Sequence, residues 1–431
     1  LAMTIVACST PPGVSGIAVV RISGKGAIKN ISTFVKDSPF DENTPLSRVC
    51  FLVDRDGEVF DEAVITSYVG PNSYTGENLV EISCHGNPKI ISRIIDLSVD
   101  AGSRLAEAGE FTKTAFLNGK LDLSEAESVA SIIHSLSLTG VKAGIKNLKG
   151  GLSKEIHSIK SSLISIIASL EFNLDISEED LQPNLLKKSG EIILKVSKKL
   201  NDCIHCFEET KMFQSGASVV ILGPPNAGKS TLFNRLVNKN QSIVTSVEGT
   251  TRDVIEKNIN ISGLPILLKD TAGIRDSGDD VEKIGVERSF VEAKDADLVI
   301  VLNDRGFSFG DTKHIHVFNK SDIKTPDEKY DISISAKTGD GVKKLKETVY
   351  NSLIGSKIQT DTLIISKRQC NAIKGALKHI KEARMLLLAG DSIELLIEDI
   401  NRSIGYLDSI TEKTTKDDVL DVVFSSFCVG K

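Results

Sequence analysis

Tryptophan is absent from this chain, and aromatic residues make up only 5% of it, which fits a helix-rich interior built from aliphatic side chains. No apolar run approaches the ~18–20 residues that a bilayer-spanning helix needs. The first residues carry neither a basic segment nor a long apolar one. No stable membrane association and a cytoplasmic location are therefore expected. Met3 reads as a natural start, so Leu1 and Ala2 are left out of the fold reasoning. A disulfide framework is also missing: Cys8, Cys50, Cys84, Cys203, Cys206, Cys370 and Cys428 are odd in number and scattered, and reduced thiols are expected. Cys203 and Cys206 form a lone CxxC with no second pair or well-spaced His, so they read as two ordinary helix cysteines. Excess positive charge is lacking as well. A net charge of -6 gives no chain-wide electrostatic footprint for nucleic acid, so any RNA binding must be local. The lysines from Lys142 to Lys160 and from Lys187 to Lys199 read as solvated faces of amphipathic helices.

What is present is an ordinary globular composition, 40% hydrophobic and 26% charged, over 431 residues. At roughly 150 residues per domain, that length suggests about three domains. The first part reads as mixed α/β, with short β-branched runs at Ile17 to Ile22, Ala63 to Tyr68 and Leu79 to Ser83, then a helix from about Pro88 to Val99. The character changes at Asp122. Leu152, Ile156, Ile159, Leu163 and Ile166 recur at alternating steps of four and three, which places them on one face of a long helix. More helix is expected to about Phe213. A strand run at Ala217 then opens an α/β unit reaching about Ile354. Helical spacing returns at Ile373, Leu377, Ile380, Ala383 and Leu387, and again at Leu396, Ile400, Ile404 and Leu407. Helices on both sides of an α/β unit are most economically one helical domain interrupted by an insertion.

The chemistry is densest in that insertion. Gly223 to Ser230 reads GPPNAGKS, a P-loop with its spacing intact, placed after a strand and before a helical run. Backbone amides through Asn226, Ala227, Gly228 and Thr231 can cradle phosphate oxygens; Lys229 reaches the outer phosphates and Ser230 ligates Mg²⁺. Asp270-Thr271-Ala272-Gly273 resembles the DxxG element of Ras-type GTPases. Asn319-Lys320-Ser321-Asp322 resembles their guanine reader, with Ser335-Ala336-Lys337 completing the base pocket. Four elements in this order specify GTP over ATP. Only about ten residues separate a strand ending near Asp304 from one at His316. A parallel crossover usually needs a dozen or more, so one peripheral helix is expected to be lost, and the interval from Asp322 to Ser335 is similarly short.

The position that holds the water-orienting Gln in Ras-type proteins is Ile274, so another group must position water. Gly249-Thr250-Thr251-Arg252-Asp253 lies where the first switch belongs. Here, and in the terminal Cys428-Val429-Gly430-Lys431, the chain closely resembles the MnmE (TrmE) family, of the TrmE-Era-EngA-like GTPase group. The same likeness runs through Thr10-Pro11-Pro12-Gly13, Arg21-Ile22-Ser23-Gly24, Ser73-Tyr74-Thr75-Gly76-Glu77, His85-Gly86 and Gly109-Glu110-Phe111-Thr112, and so covers essentially the whole chain.

The resemblance implies the following. Thr251 joins Ser230 on Mg²⁺, while Asn226, Thr245, Val247 and Thr250 hold K⁺, with Ser246, Glu248 and Gly249 in the same GTP-binding loop. Glu282 orients the attacking water; taken by itself it would be a solvated acid at a helix start. Arg21, Glu81, Lys120 and Lys431 contact 5,10-methylenetetrahydrofolate or a related one-carbon tetrahydrofolate, and Cys428 is a candidate for the modification chemistry, although a buried small hydrophobe is the plain alternative. His85 and Cys84 read as structural. The implied architecture is a mixed α/β folate-binding-like and dimerisation domain (1–118), a helical domain (119–214 and 355–431) and an inserted Ras-like P-loop GTPase domain (215–354). The implied activity is K⁺-stimulated hydrolysis of GTP to GDP by a homodimer. With MnmG, an FAD-dependent partner, it would install an aminomethyl-type group at carbon 5 of the wobble uridine of certain tRNAs. The rival readings are a ribosome-assembly or membrane-associated regulatory GTPase, which leaves the terminal motif unexplained, and a folate-dependent one-carbon transferase for a small substrate.

Overall fold

The computed structural model describes residues 3–174, 183–238, 255–270, 292–304, 306, 312–325, 330–354, 366–390, 392–412, 417–425 and 427–431. The chain divides into two compact units, one of Leu1–Ala130, Asn147–Ser197 and Asn371–Lys431, the other of Ser131–Lys146 and Lys198–Cys370.

In the first unit, β1 (Ile5–Cys8), β2 (Ser15–Ser23), β3 (Leu46–Val53), β4 (Val59–Tyr68), β5 (Leu79–Gly86) and β6 (Arg104–Leu105) form one sheet in the order β3-β4-β5-β2-β1-β6. All neighbours are antiparallel except β1 and β6. Alternation along β4 puts Asp61, Ala63, Ile65 and Ser67 on the buried face, as a half-buried antiparallel sheet requires. Helix α1 (Ala27–Ile31) and helix α2 (Pro88–Asp100) pack on the sheet. Pro88 supplies the pre-set first position of α2, and the Asn87 side chain accepts from the Lys89 amide as its N-cap. Register matters most at one pair: Arg21 of β2 stands opposite Glu81 of β5.

The same unit contains α3 (Glu110–Leu117), α4 (Leu123–His134, up to Ala130), α6 (Gly151–Leu174), α10 (Lys367–Ala389, from Asn371), α11 (Ile393–Thr411) and α12 (Asp417–Ser425); α5 is Leu138–Leu148, α7 Pro183–Ser215, α8 Lys229–Asn238 and α9 Val342–Ile354. The expected apolar face of α6 is the buried one: Leu152, Ile156, Ile159, Leu163 and Ile166 are each at most 2% exposed. It packs against α11, which buries Leu396, Ile400, Leu407 and Ile410. Each such side chain contributes about 1.5–3 kcal/mol relative to an exposed one, so a charge at Leu163 would break this contact. One lysine departs from expectation. Lys160 is not on a solvated face: it is 13% exposed and pairs with Asp408 of α11 and with Glu412, the residue that caps its C-terminus. Phe116, Leu123, Ala126, Leu420, Val423, Phe424 and Phe427 form a further core, which brings α12 against α3 and α4.

The second unit is built on a sheet of order β12-β11-β10-β7-β9-β8, made of β7 (Ala217–Leu222), β8 (Ile255–Ile261), β9 (Leu264–Asp270), β10 (Leu298–Leu302), β11 (His314–Asn319) and β12 (Ile332–Ile334). Only β8 runs antiparallel to its neighbour. Every residue of β10 is buried, so this central strand reads as a continuous apolar run without alternation. The flanking strands lie slightly earlier than expected, β10 ending at Leu302 and β11 opening at His314. Among the described residues between them none is helical, and positions 305 and 307–311 lie outside the described residues.

Candidate functional site

Every described nucleotide motif sits at the carboxyl end of a parallel strand, the edge where open α/β sheets bind ligands. The P-loop follows β7, Asp270 ends β9, Asn319 ends β11, and Ser335 follows β12. The loop's shape depends on close approach. Asn226 and Gly228 take left-handed conformations, φ 60° and 91°. A Cβ on Gly228 would lie 2.3 Å from the Asn319 amide nitrogen, and one on Gly223 would lie 2.5 Å from the Leu302 carbonyl oxygen. Only glycine fits at either position.

Lys229 opens α8 and curls back over the loop, its Nζ donating to the carbonyls of Gly223 at 2.8 Å and Pro224 at 3.1 Å. Burial lowers its pKa from the ordinary value, and the nearby charge of Asp270 opposes that shift. Asp270 is 1% exposed, and stands in register with Ile221 of β7. Ser230 and Thr231 are exposed on the first turn of α8. One hard hydroxyl oxygen and one carboxylate beside a helix N-terminus are donors that suit Mg²⁺ and phosphate.

The base-reading loops are tied to the P-loop by one side chain. Asn319, 3% exposed, donates through Nδ2 to the Ala227 carbonyl at 2.8 Å and accepts at Oδ1 from the Ala336 amide at 2.9 Å. Its own amide donates to the Asn303 side chain at 2.6 Å. Arg235 of α8 donates from Nε to the Ala336 carbonyl at 3.0 Å and also reaches the carbonyl of Lys337. Lys320 is left-handed at φ 71°, which carries the chain on to Asp322. A hydrogen bond from Ser335, chiefly, holds the Asp322 carboxyl below the usual range. The structure thus brings together Asn226, Ala227, Gly228, Lys229, Asn319 and Ala336. Neither Asn303 nor Arg235 was singled out in the sequence, where nothing distinguishes them from ordinary surface residues. Thr245, Ser246, Val247, Glu248, Gly249, Thr250, Thr251, Thr271, Ala272, Gly273 and Glu282 lie outside the described residues. Of the residues expected to hold K⁺, only Asn226 is described.

In the other unit a second cluster forms around Arg21. Its Nε and Nη2 both donate to Glu81 Oε1, at 3.1 and 2.6 Å, and Nη1 lies 3.5 Å from the Gly430 carbonyl. The guanidinium carbon is 5.3 Å from the ring centre of Tyr74 and 5.6 Å from that of Phe111, within cation–π range. Tyr68 hydrogen-bonds Glu81; burial first, then the Glu81 charge, raises its pKa. Tail residues reach this place because Ser9 donates to the Gly430 carbonyl at 2.9 Å and Ala108 bridges Val429. Gly430 sits at φ 92° with space for no Cβ, which would lie 2.5 Å from the Cys8 carbonyl oxygen. Paired charge, flanking rings and an oriented carbonyl fit the amide edge of a pterin. Lys120 donates to the Pro71 carbonyl at 3.0 Å, at the far end of the loop that carries Tyr74. Lys431 is half-buried, and its amide lies 3.3 Å from the Cys428 carbonyl. Tyr74 and Phe111 lie within motifs quoted above, but nothing in the sequence marked them as partners of Arg21. Cys428 is exposed, which overturns the reading of a buried hydrophobe. Cys203 and Cys206 lie in α7 and, among the described residues, belong to no metal-ligand cluster. Among the described residues, no helix is long and apolar enough to cross a membrane.

Comparison with known proteins covers the whole chain. The family model described as the MnmE helical domain matches residues 123–428, and that described as GTP-binding protein TrmE N-terminus matches residues 4–120. The tRNA modification GTPase MnmE of Aquifex aeolicus is 38% identical over 446 residues, 99% of this chain and 99% of that protein. The protein of the same name from Thermotoga petrophila is 35% identical over 455 residues, 99% of this chain and 100% of that protein. Among solved structures, Aquifex aeolicus Era Y63A bound to GDP.AlF4- is 24% identical, covering 38% of this chain and 66% of that one with a TM-score of 0.26. The two family matches and the full-length relatives agree: this chain belongs to the MnmE (TrmE) family.

Proposed function

We propose that this chain is a tRNA modification GTPase that hydrolyses GTP in a K⁺-stimulated reaction and, as a homodimer acting with MnmG, couples hydrolysis to folate-dependent modification of the wobble uridine. The observation that carries the GTP part is the Asn319 bridge, which ties the phosphate loop to the guanine-reading loop through one buried side chain. Asp322, kept ionised, accepts from the guanine N1 and 2-amino groups, which adenine does not offer in that arrangement. Loop amides and Lys229 would hold the outer phosphates, and Ser230 with Thr251 would hold Mg²⁺. Bound K⁺ would place positive charge beside the phosphates, where an arginine finger acts in other GTPases. Asn226, Thr245, Val247 and Thr250 are the residues assigned to hold it. With Ile274 unable to orient water, that task falls to Glu282.

Arg21, Glu81 and the tail support the folate reading. Glu81 would accept from a pterin amide edge, and Arg21 with the lysines Lys120 and Lys431 would meet carbonyl and anionic groups; Arg21 contacts Gly430, and the exposed Cys428 lies two residues before it. Tetrahydrofolate would supply the one-carbon unit. The test is GTP turnover in KCl against NaCl at matched ionic strength, for wild type and Glu282→Ala, together with wobble-uridine analysis in a deletion strain. Faster turnover in K⁺, its collapse in the variant with nucleotide affinity kept, and loss of the modified uridine are expected. Equal turnover in both salts with an unimpaired variant refutes the switch assignment, and persistence of the modified uridine refutes the tRNA role.

A further inference from the structure

The GTP and folate sites leave one cluster of ligating side chains unused. His379 and Glu382 lie three residues apart on α10, a spacing that puts both on one helix face, and Asp399 meets them from α11. His379 Nδ1 is 3.0 Å from Glu382 Oε2 and 3.1 Å from Asp399 Oδ1. One ligand atom from each of the three residues lies within 4.8 Å of the others. The cluster is partly withdrawn from water, with the His379, Asp399 and Glu382 side chains 13%, 15% and 38% exposed.

Two observations set the cluster apart from chance neighbours. First, the imidazole is held. It stacks on Tyr406 of α11, ring centres 5.7 Å apart at 24°, and this restrains the plane of the ring, while the contacts to Asp399 and Glu382 mark the edge that carries Nδ1. Second, the carboxylates are aimed. Lys378 sits 3.8 Å from Oε1 of Glu382, on the oxygen that does not face the ring, while Oε2 faces His379. One nitrogen and two carboxylate oxygens thus converge. A neutral imidazole carries at most one proton at Nδ1, which cannot be shared well between two acceptors at these distances. A cation set among the three donor atoms would satisfy all of them at once. First-row divalent ions take imidazole nitrogen and carboxylate oxygen at about 2.0–2.2 Å, which places the donors of a tetrahedral site about 3.4 Å apart, so the pairs at 3.0 and 3.1 Å need to open by only about 0.3–0.4 Å.

We propose that His379, Glu382 and Asp399 form a binding site for one divalent transition-metal ion, zinc by preference, which clamps α10 to α11. A mixed nitrogen and oxygen donor set suits zinc and its first-row neighbours better than Mg²⁺, which favours oxygen alone. Three protein ligands leave a further position for water. The bond count is simple: His379 binds through the Nδ1 lone pair as neutral imidazole, and each carboxylate gives one oxygen.

The experiment uses tag-free, nucleotide-free full-length protein stripped of metal and titrated with Co²⁺, then with Zn²⁺ in competition. The expected result is one equivalent of Co²⁺ with visible ligand-field bands and no thiolate charge-transfer band, displaced by Zn²⁺. His379→Gln and Asp399→Asn should each weaken binding at least tenfold while GTP affinity and far-ultraviolet circular dichroism are retained. If either variant folds poorly, ¹⁵N shifts of the His379 ring in wild type serve instead, because zinc at Nδ1 moves that nitrogen and leaves Nε2 protonated. Absence of a bound equivalent, a thiolate band, variants that bind like wild type, or an unmoved Nδ1 each overturn the site. The cluster is then an imidazolium held by two carboxylates.

Discussion

Replacing Asn319 with Ala tests whether one buried side chain couples the two halves of the nucleotide pocket. The substitution removes two hydrogen bonds, Nδ2 to the Ala227 carbonyl and Oδ1 from the Ala336 amide. It leaves both backbone groups without that partner at a position 3% exposed. An orphaned buried group costs about 1–3 kcal/mol, so the total for the two is about 2–6 kcal/mol. That energy is lost from folded-state stability, from nucleotide affinity, or from both. Binding of a fluorescent GTP analogue and thermal unfolding, measured on the same preparation, report the two shares. A fall in affinity of at least about 30-fold, or an equivalent loss of stability at about 1.4 kcal/mol per tenfold, is expected. Asn319→Asp separates the halves, since a carboxylate still accepts from the Ala336 amide but cannot donate to Ala227. It should loosen the phosphate loop and spare the base loop. An Asn319→Ala protein with both quantities within threefold of wild type would show that the bridge is incidental.

Gly430→Ala forces a side chain into a left-handed residue, at a cost of about 1–2 kcal/mol, and places its Cβ 2.5 Å from the Cys8 carbonyl oxygen. Faster amide exchange at 427–431 and weaker tetrahydrofolate binding are expected, with GTP turnover measured alongside to show that the second unit is untouched. Burial, chiefly, pushes the Cys84 thiol up to about 11, while Cys428 is exposed. Alkylation of native protein at neutral pH followed by peptide mass spectrometry should label Cys428 well before Cys84, and the reverse order would contradict the packing. Asp322 is held below the ordinary carboxylate range, mainly by Ser335. Its carboxylate is therefore present above that range and lost only as pH falls through the lowered value. Discrimination of GTP from ATP should persist as pH falls through the ordinary Asp range in wild type and fail earlier in Ser335→Ala.

The elements that could be read from the sequence were those with a strong period or a fixed motif. The stripe from Leu152 to Ile166 is buried as spaced, because a long amphipathic helix leaves one way to hide its apolar face. The run at Ala217 is β7 from its first residue. What remained hidden depends on distant pairing. The contact of Lys160 with α11 requires knowing that helices hundreds of residues apart pack together. The strands expected near Asp304 and at His316 lie about two residues earlier, because pairing of β10 with β11, from Val299 with His314 to Leu302 with Val317, decides where one ends and the other opens. At Arg21 the facing Glu81 was named, yet the rings of Tyr74 and Phe111 were not, since a cation–π contact leaves no spacing signal.

The contact between Arg21 and Gly430 spans 409 positions of chain. At ribosomal rates of about 5–20 residues per second, roughly 20–80 s pass between the emergence of β2 and that of the segment which meets it. Until then the cluster around Arg21 lacks one wall, and a chain that has not yet extended to Gly430, however well its sheet has folded, cannot offer it. Synthesis as far as Gly430 acts as an assembly checkpoint written into the topology.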